Sequence, residues 1–143
     1  MENKNKPFEI ILEYIKDLSI ETPSASTLLN VRERLGDYHM DIDISTLALK
    51  NKSLEVTTKL ILQDKNDNKE KSFFEIKYAT VISIDSSIKD KKMISRIVLC
   101  DLQNEIYPEL EKTFLSLMNG SGFTELKFAK KVDFDELYKK NQN

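Results

Sequence analysis

Four stretches of the chain alternate apolar and polar residues with a period of two, the pattern of strands that bury one face. FEIILEYIKD puts Phe8, Ile10, Leu12 and Tyr14 on one face, and Glu9, Glu13 and Asp17 on the other with Ile11 and Ile15. DYHMDIDIST sets Tyr38, Met40, Ile42 and Ile44 against His39, Asp41, Asp43 and Ser45. In SLEVTTKLIL, residues Leu54, Val56, Thr58, Leu60 and Leu62 are in register. In SFFEIKYATVISI, Phe74, Ile76, Tyr78, Ile82 and Ile84 face the core, while Phe73, Glu75, Lys77 and Ala79 face away.

QDKNDNKEK, between the third and fourth stretches, reads as a hairpin turn because it is short, polar and rich in Asn and Asp. Residues 22–36 form a longer connection that holds Pro23, Leu28, Leu29, Val31 and Gly36. It lets the second strand enter the sheet away from the first. After Ile84 the period becomes helical, with Met93, Ile94, Ile97 and Val98 on one side. Tyr107-Pro108 interrupts it, so Pro108 is predicted in the first turn of a new helix, where its missing N–H costs nothing. That helix, from about 106 to 119, shows Leu110, Phe114, Leu117 and Met118 and stops at Asn119-Gly120. GFTELKFAKKV reads as an extended link. DFDELYKK closes the chain as a short helix capped by Asp133. The expectation is an α+β fold: a four-stranded antiparallel sheet, then a long helix and a short C-terminal helix. One domain would cover 1–143, with 1–7 and 140–143 as disordered tails.

Composition narrows the function. The 143 residues are 40% hydrophobic and 32% charged, with a net charge of -2, so no basic excess points to nucleic acid. Cys100 is the sole cysteine, which excludes an intramolecular disulfide and fits a reducing compartment. No apolar run reaches the ~20 residues that a spanning helix needs, so no membrane insertion is expected. MENKNKP lacks the apolar stretch of a secretory signal, and a cytoplasmic location is expected. Gly36, Gly120 and Gly122 form no phosphate-binding loop.

Candidate chemistry is thin. His39 is the single histidine and has no set of partner ligands, so a solvated strand residue is the better reading and no metal is expected. Asp41 and Asp43 share a face, where they keep a strand soluble and unpaired more readily than they share a proton. Cys100 sits in an apolar stretch and reads as a buried structural thiol. PSAST supplies turn and cap residues without a nucleophile elbow. The lysines at 89–92 and 130–131 read as solvated surface. The chain is therefore not expected to be an enzyme or to hold a cofactor. More telling is the apolar surplus: Ile11, Ile15, Ile61, Phe73, Ala79 and Val81 lie opposite the main core on consecutive strands, which points to an assembly.

Four segments, in order, resemble the SecB family of export chaperones. YIKDLSIETPSA is close to that family's Y-x-K-D-[LI]-S-x-E-x-P-x-A, and FEIKYATVISI is similar to E-V-x-Y-x-G-x-F-x-I. IYPELEKTFLSLMNGSGFTEL resembles L-F-P-x-A-R with a helix and G-F-P-x-L, and VDFDELY resembles V-[DN]-F-x-x-L-[YF]. The chain departs at Thr80 and Ile82, after Pro108, at Thr124 and at Lys130-Lys131.

The resemblance implies an ATP-independent holdase that binds unfolded polypeptide clients and delivers precursors to the SecA-type motor ATPase, working as a homotetramer, a dimer of dimers. It implies a SecA docking face at Asp17, Glu21, Phe73 and Glu75. It implies a client groove drawing on Leu28, Leu29 and Val31, on Met40, Ile42 and Ile44, and on Phe134, Leu137 and Tyr138. Periodicity alone reads most of the latter as core. The alternative is a SecB-like chaperone dedicated to one client, such as an antitoxin of a toxin–antitoxin module.

Overall fold

β1 (Phe8–Glu21), β2 (Tyr38–Ala48), β3 (Ser53–Asp64) and β4 (Phe73–Ile84) form one antiparallel sheet in the order β1-β4-β3-β2. The computed structural model describes residues 6–64, 70–124, 126–128 and 131–141. The tip of the β3–β4 hairpin at 65–69 and residues 125, 129 and 130 of the predicted link lie outside them, as do 1–5 and 142–143 of the predicted tails. The first and second strands in sequence are thus the two edges of the sheet, as the long connection between them anticipates.

That connection is more than a loop. Ser24 caps helix α1 (Ala25–Glu33), its hydroxyl accepting from the Thr27 N–H at 3.1 Å. Nine residues make too short a helix to persist alone. Burial of Thr27 and Val31 holds it, together with Arg34, which is bonded to Asp64 at 2.6 Å, Asn30 at 2.6 Å and the Glu70 carbonyl at 2.9 Å.

The helical region differs from the prediction. Helix α2 (Lys91–Arg96), capped by Asp90, passes through a π turn at Ile97–Asp101 into helix α3 (Leu102–Gly120). Pro108 lies inside α3 and does not begin it. Its missing N–H would have bonded the carbonyl of Asn104, one turn earlier. Asn104, Glu105, Pro108 and Glu109 are all exposed, so water can serve that carbonyl and the helix continues. Where the extra residue of the π turn loosens the ladder, buried Gln103 fills in. Its amide donates to the Val98 carbonyl at 3.3 Å and to the Thr58 hydroxyl at 3.0 Å, tying the helix to β3. After α3, Gly122 takes φ +109°, and a Cβ there would press on Leu28 of α1 at 3.1 Å. Helix α4 (Phe134–Asn141) ends the described chain, with Asp133 accepting from the Glu136 N–H at 3.1 Å, the predicted cap.

All helices cover one face of the sheet. At one end, Val31, Tyr38, Leu60, Leu62, Phe74, Ile76, Leu110, Phe114, Met118 and Phe123 form a cluster. At the other, Phe8, Val56 and Ile82 pack on Ile97, Val98, Leu102 and Ile106.

β1 departs from simple alternation. Its register shifts between Ile10 and Leu12 and again between Ile15 and Asp17. Each extra residue flips the side chains that follow to the other face. Phe8 and Ile10 therefore face the helices, but Leu12 and Tyr14 stand on the bare face opposite Val81 and Ala79. Glu13 and Ile15 turn to the helix side, and Asp17 returns to the bare face. The expectations for β1 are corrected by this: Leu12 and Tyr14 do not share a face with Phe8, and neither Glu13 nor Ile15 is on the bare face. Ala79 and Val81 do point away from the helices, yet they are buried, because the flipped Leu12 and Tyr14 reach them. Lys6 and Pro7, in the segment predicted as a tail, are tied in: Lys6 pairs with Glu105 at 2.8 Å, and the Pro7 carbonyl accepts from Asp85 at 2.9 Å. Lys140 and Asn141 likewise continue α4.

Candidate functional site

On the bare face, strand pairing brings together residues that are far apart in sequence. Glu21 lies directly opposite Phe73, Ser19 opposite Glu75, and Asp17 opposite Lys77. The rows continue across the sheet, Glu75 to Ile61 to Asp41, and Lys77 to Lys59 to Asp43. The four residues assigned to docking thus share one corner of one face. Phe73, 42% exposed, is its apolar point. Ile61, flagged as surplus, falls between Glu75 and Asp41, so the corner has a second apolar side chain and a third strand. Strand periodicity could have found it, but only knowledge of the neighbour order places it there. Gln63 donates to Asp41 at 3.3 Å, and His39 Nε2 is 3.5 Å from the same carboxylate. Among the described residues no cluster of metal ligands forms.

The other end of the bare face is locked. Tyr14 donates to Glu55 at 2.5 Å and Lys16 to the same oxygen at 3.1 Å, both reaching across β4. The Tyr14 hydrogen bond, then that of Lys16, holds the Glu55 carboxyl below its usual range, and the same bond raises the Tyr14 phenol.

The residues assigned to the client groove divide into three sets. Val31 and Phe134 are buried, Phe134 meeting Tyr107 edge to face with centroids 5.1 Å apart. Leu28, Met40, Ile42 and Ile44 are half-buried against the same cluster, and the Tyr107 hydroxyl points at the Met40 sulfur, 3.8 Å away. Leu29 and Leu137 project to solvent, 61% and 40% exposed. Tyr138 is half-buried, its hydroxyl donating to the Lys92 carbonyl at 3.4 Å, with Arg96 5.9 Å over its ring. Burial pushes the Tyr78 phenol up to about 12, with Glu13 adding to it, and it raises the Tyr107 phenol as well.

Beyond Ile44 the trough beside β2 is open. A cleft of about 400 Å³ lies between Ile44–Thr46 and Ile94, Val98 and Leu99. A second, of about 340 Å³, continues it past Leu49, Ile84 and Ile88, and the two share Leu54 and Ile94. Of the residues assigned to the groove, Ile44 alone lines either cleft. Sequence reasoning missed the rest because they come from strand ends and from a helix read as core. Cys100 is buried and its thiol donates to Asp135, which docks α4 on the π turn; burial first and that carboxylate second push it up to about 11. At neutral pH it is a protonated structural thiol.

Comparisons with known proteins agree with this architecture. A family model described as "Preprotein translocase subunit SecB" matches residues 1–143. A protein of Pelagibacter ubique (strain HTCC1062) that carries the SecB protein-export name is 43% identical over 136 residues, 95% of this chain and 97% of that one. The protein-export protein SecB of Rickettsia felis is 31% identical over 133 residues, 92% of this chain and 85% of that one. In fold, the chain is similar to the Mycobacterium tuberculosis Rv1957 SecB-like chaperone, solved with a ChAD peptide from the Rv1956 HigA1 antitoxin. The TM-score is 0.63 at 10% identity, over 88% of this chain and 91% of that one. Among the described residues no helix is long and apolar enough to cross a membrane. With a four-stranded antiparallel sheet, one helix-covered face and a family match along its whole length, the chain belongs to the SecB family of protein-export chaperones.

Proposed function

We propose that the protein is a cytoplasmic, ATP-independent holdase that seats apolar segments of unfolded precursors in the trough beside β2 and delivers them to a SecA-type motor. The observation that carries this reading is the open apolar trough where Ile44 meets Ile94, Val98 and Leu99. Apolar side chains of an unfolded client gain ~25 cal/mol per Å² by leaving water there. Many weak contacts, multiplied over an oligomer, hold a client without reading one sequence.

Assembly is supported by β1. It is a 14-residue edge strand with Ile11, Leu12, Tyr14, Ile15 and Leu18 exposed, and among the described residues no strand pairs with its outer side. Such an edge fits a second copy of the same strand. A homotetramer built as a dimer of dimers follows the family pattern.

The motor would dock at the corner of Asp17, Glu21, Phe73 and Glu75. Carboxylates there steer a basic partner, and Phe73 anchors it.

The test mixes the protein with a denatured precursor as it refolds and follows aggregation and chaperone mass by light scattering. Suppressed aggregation by an oligomer supports the reading. A monomer that leaves aggregation unchanged refutes it, and a single stoichiometric partner on purification from cells would instead favour the dedicated chaperone. For docking, Glu75→Lys is expected to weaken motor binding about tenfold in a salt-sensitive way, with client holding intact. Unchanged motor affinity would remove the docking assignment.

A further inference from the structure

Among the described residues the bare face holds one lysine–carboxylate pair, and it sits where the pattern of β1 breaks. Glu55 is only 7% exposed, although no helix covers its side of the sheet. A carboxylate so enclosed needs partners. Tyr14 and Lys16 supply them on one oxygen, at 2.5 and 3.1 Å, reaching over a part of β4 where Ala79 and Val81 are small. Lys16 is the extra residue of the second register shift, between Ile15 and Asp17. In a regular strand Lys16 and Asp17 would project to opposite faces. The bulge throws both onto the bare face, where Asp17 lies opposite Lys77 and Lys16 bonds Glu55. Chain neighbours on one face are within reach of each other. Yet among the described residues Asp17 has no cation within ion-pair distance, and neither has Glu21 or Glu75.

From this arrangement we infer that Glu55 is a positioning residue for motor docking: it holds Lys16 away from Asp17 and leaves that carboxylate free for a basic partner. The inference rests on the docking reading of the corner of Asp17, Glu21, Phe73 and Glu75, and it adds a residue outside that corner. Glu55 lies opposite Val81 and Asp17 opposite Lys77, so the two carboxylates are separated by about 13 Å along the strand direction. Glu55 therefore acts through Lys16 and not by touching the partner that Asp17 meets. An ammonium set loose beside Asp17 would offset one of the charges that steer a basic protein. Tyr14, donating to the same oxygen, keeps the Glu55 carboxylate aimed at Lys16. The other lysines of this face are Lys77, opposite Asp17, and Lys59, opposite Lys77. Neither is bonded to Glu55, so both form a constant background against which Lys16 counts.

The test measures the affinity of the full chain for a purified SecA-type motor ATPase at low salt, in variants checked for wild-type circular dichroism and oligomer mass. Glu55→Gln keeps the shape of the side chain and an oxygen for Tyr14 but removes the charge that holds Lys16. It is expected to weaken motor binding about threefold, the size of one exposed charge pair. Lys16→Met should bind at least as tightly as the wild type, and Glu55→Gln combined with Lys16→Met should return to the wild-type affinity. That rescue is the signature of a role through Lys16, because a general loss of fold would not be repaired by removing a second partner. In nuclear magnetic resonance spectra, contacts between the Lys16 ε-protons and the Tyr14 ring should be present in the wild type and fade in Glu55→Gln. Unchanged motor affinity in Glu55→Gln overturns the inference. So does a loss that persists in the double variant, which would make Glu55 a direct contact or a purely structural residue. Asp17→Asn separates the two failures. If it weakens docking while Glu55→Gln does not, only this inference falls; if Asp17→Asn has no effect, or the wild type does not bind the motor, the docking reading falls and takes the inference with it.

Discussion

At the α1 end of the helix-covered face, aromatic rings from separate segments meet edge to face. Phe74 packs against Phe123 at 4.9 Å and Tyr38 at 5.8 Å, and Tyr107 against Phe134 at 5.1 Å. At the α2 end the cluster is aliphatic apart from Phe8 and the half-buried Tyr78, and one helix supplies most of its lid. The first end is sealed; the second leaves clefts of about 400 and 340 Å³. The sheet beneath is the same at both ends. The difference lies in what covers it: among the described residues α1, Phe123 and the Phe134 ring converge on one end, whereas the rest of α4 lies against α2 and the π turn, with Tyr138 bonded to Lys92 and Asp135 to Cys100, and leaves the clefts beside Ile44 and Leu54 open. One end of the face thus supplies stability, and the other keeps apolar surface available. Most residues assigned to the groove by resemblance lie at or beside the sealed end, and Ile44 alone of them reaches the clefts.

The largest test of the contrast is Phe74→Ala, which empties a fully buried ring site and is expected to cost about 3–5 kcal/mol in a denaturant titration. Ile94→Ala, on the cleft wall, should cost only about 1 kcal/mol because its side chain is already partly solvated, yet it should release clients faster. Equal losses of stability would mean that the two ends are packed alike.

Next in size is the join between them. Gln103→Leu strands the Thr58 hydroxyl and the Val98 carbonyl and should cost about 1–3 kcal/mol. Adding Thr58→Val should recover part of the loss, since the mate of the lost bond goes with it. A double-mutant cycle with no coupling would show that the π turn needs no such tie.

The smallest effect is expected from Cys100. Its folded thiol is raised from the ordinary 9.0 to about 11, so the protonated form is favoured in the fold. That contribution is complete below pH 9 and is lost as the pH climbs towards 11. Alkaline unfolding curves of the wild type and Cys100→Ala should therefore converge over that window. Iodoacetamide should label the native thiol far more slowly than the unfolded one, and equal rates would place α4 off the π turn.

Much of this was legible in the residues. Alternation named all four strands and faced three of them correctly. Asp133 reads as a cap and acts as one, the cap material of PSAST includes Ser24, which caps α1, and the ordered motifs gave the family. β1 misled because a bulge is invisible in one strand: the extra residue is defined only against β4, and it moves Leu12 and Tyr14 to the bare face. Pro108 misled because the local cost of proline depends on whether the carbonyl it deprives faces water, which tertiary packing sets.

What the sequence determined by itself was the period of each element, where most of them begin, and the set of acidic and apolar residues available for binding, because backbone sterics and local hydrogen bonds act within a few residues. Only the tertiary structure decided which residues became neighbours. The corner of Glu21, Phe73 and Glu75 and the unsealed end of the sheet both join segments from different parts of the chain. Their proximity comes from strand order and helix placement, and those are fixed by burying the whole core at once.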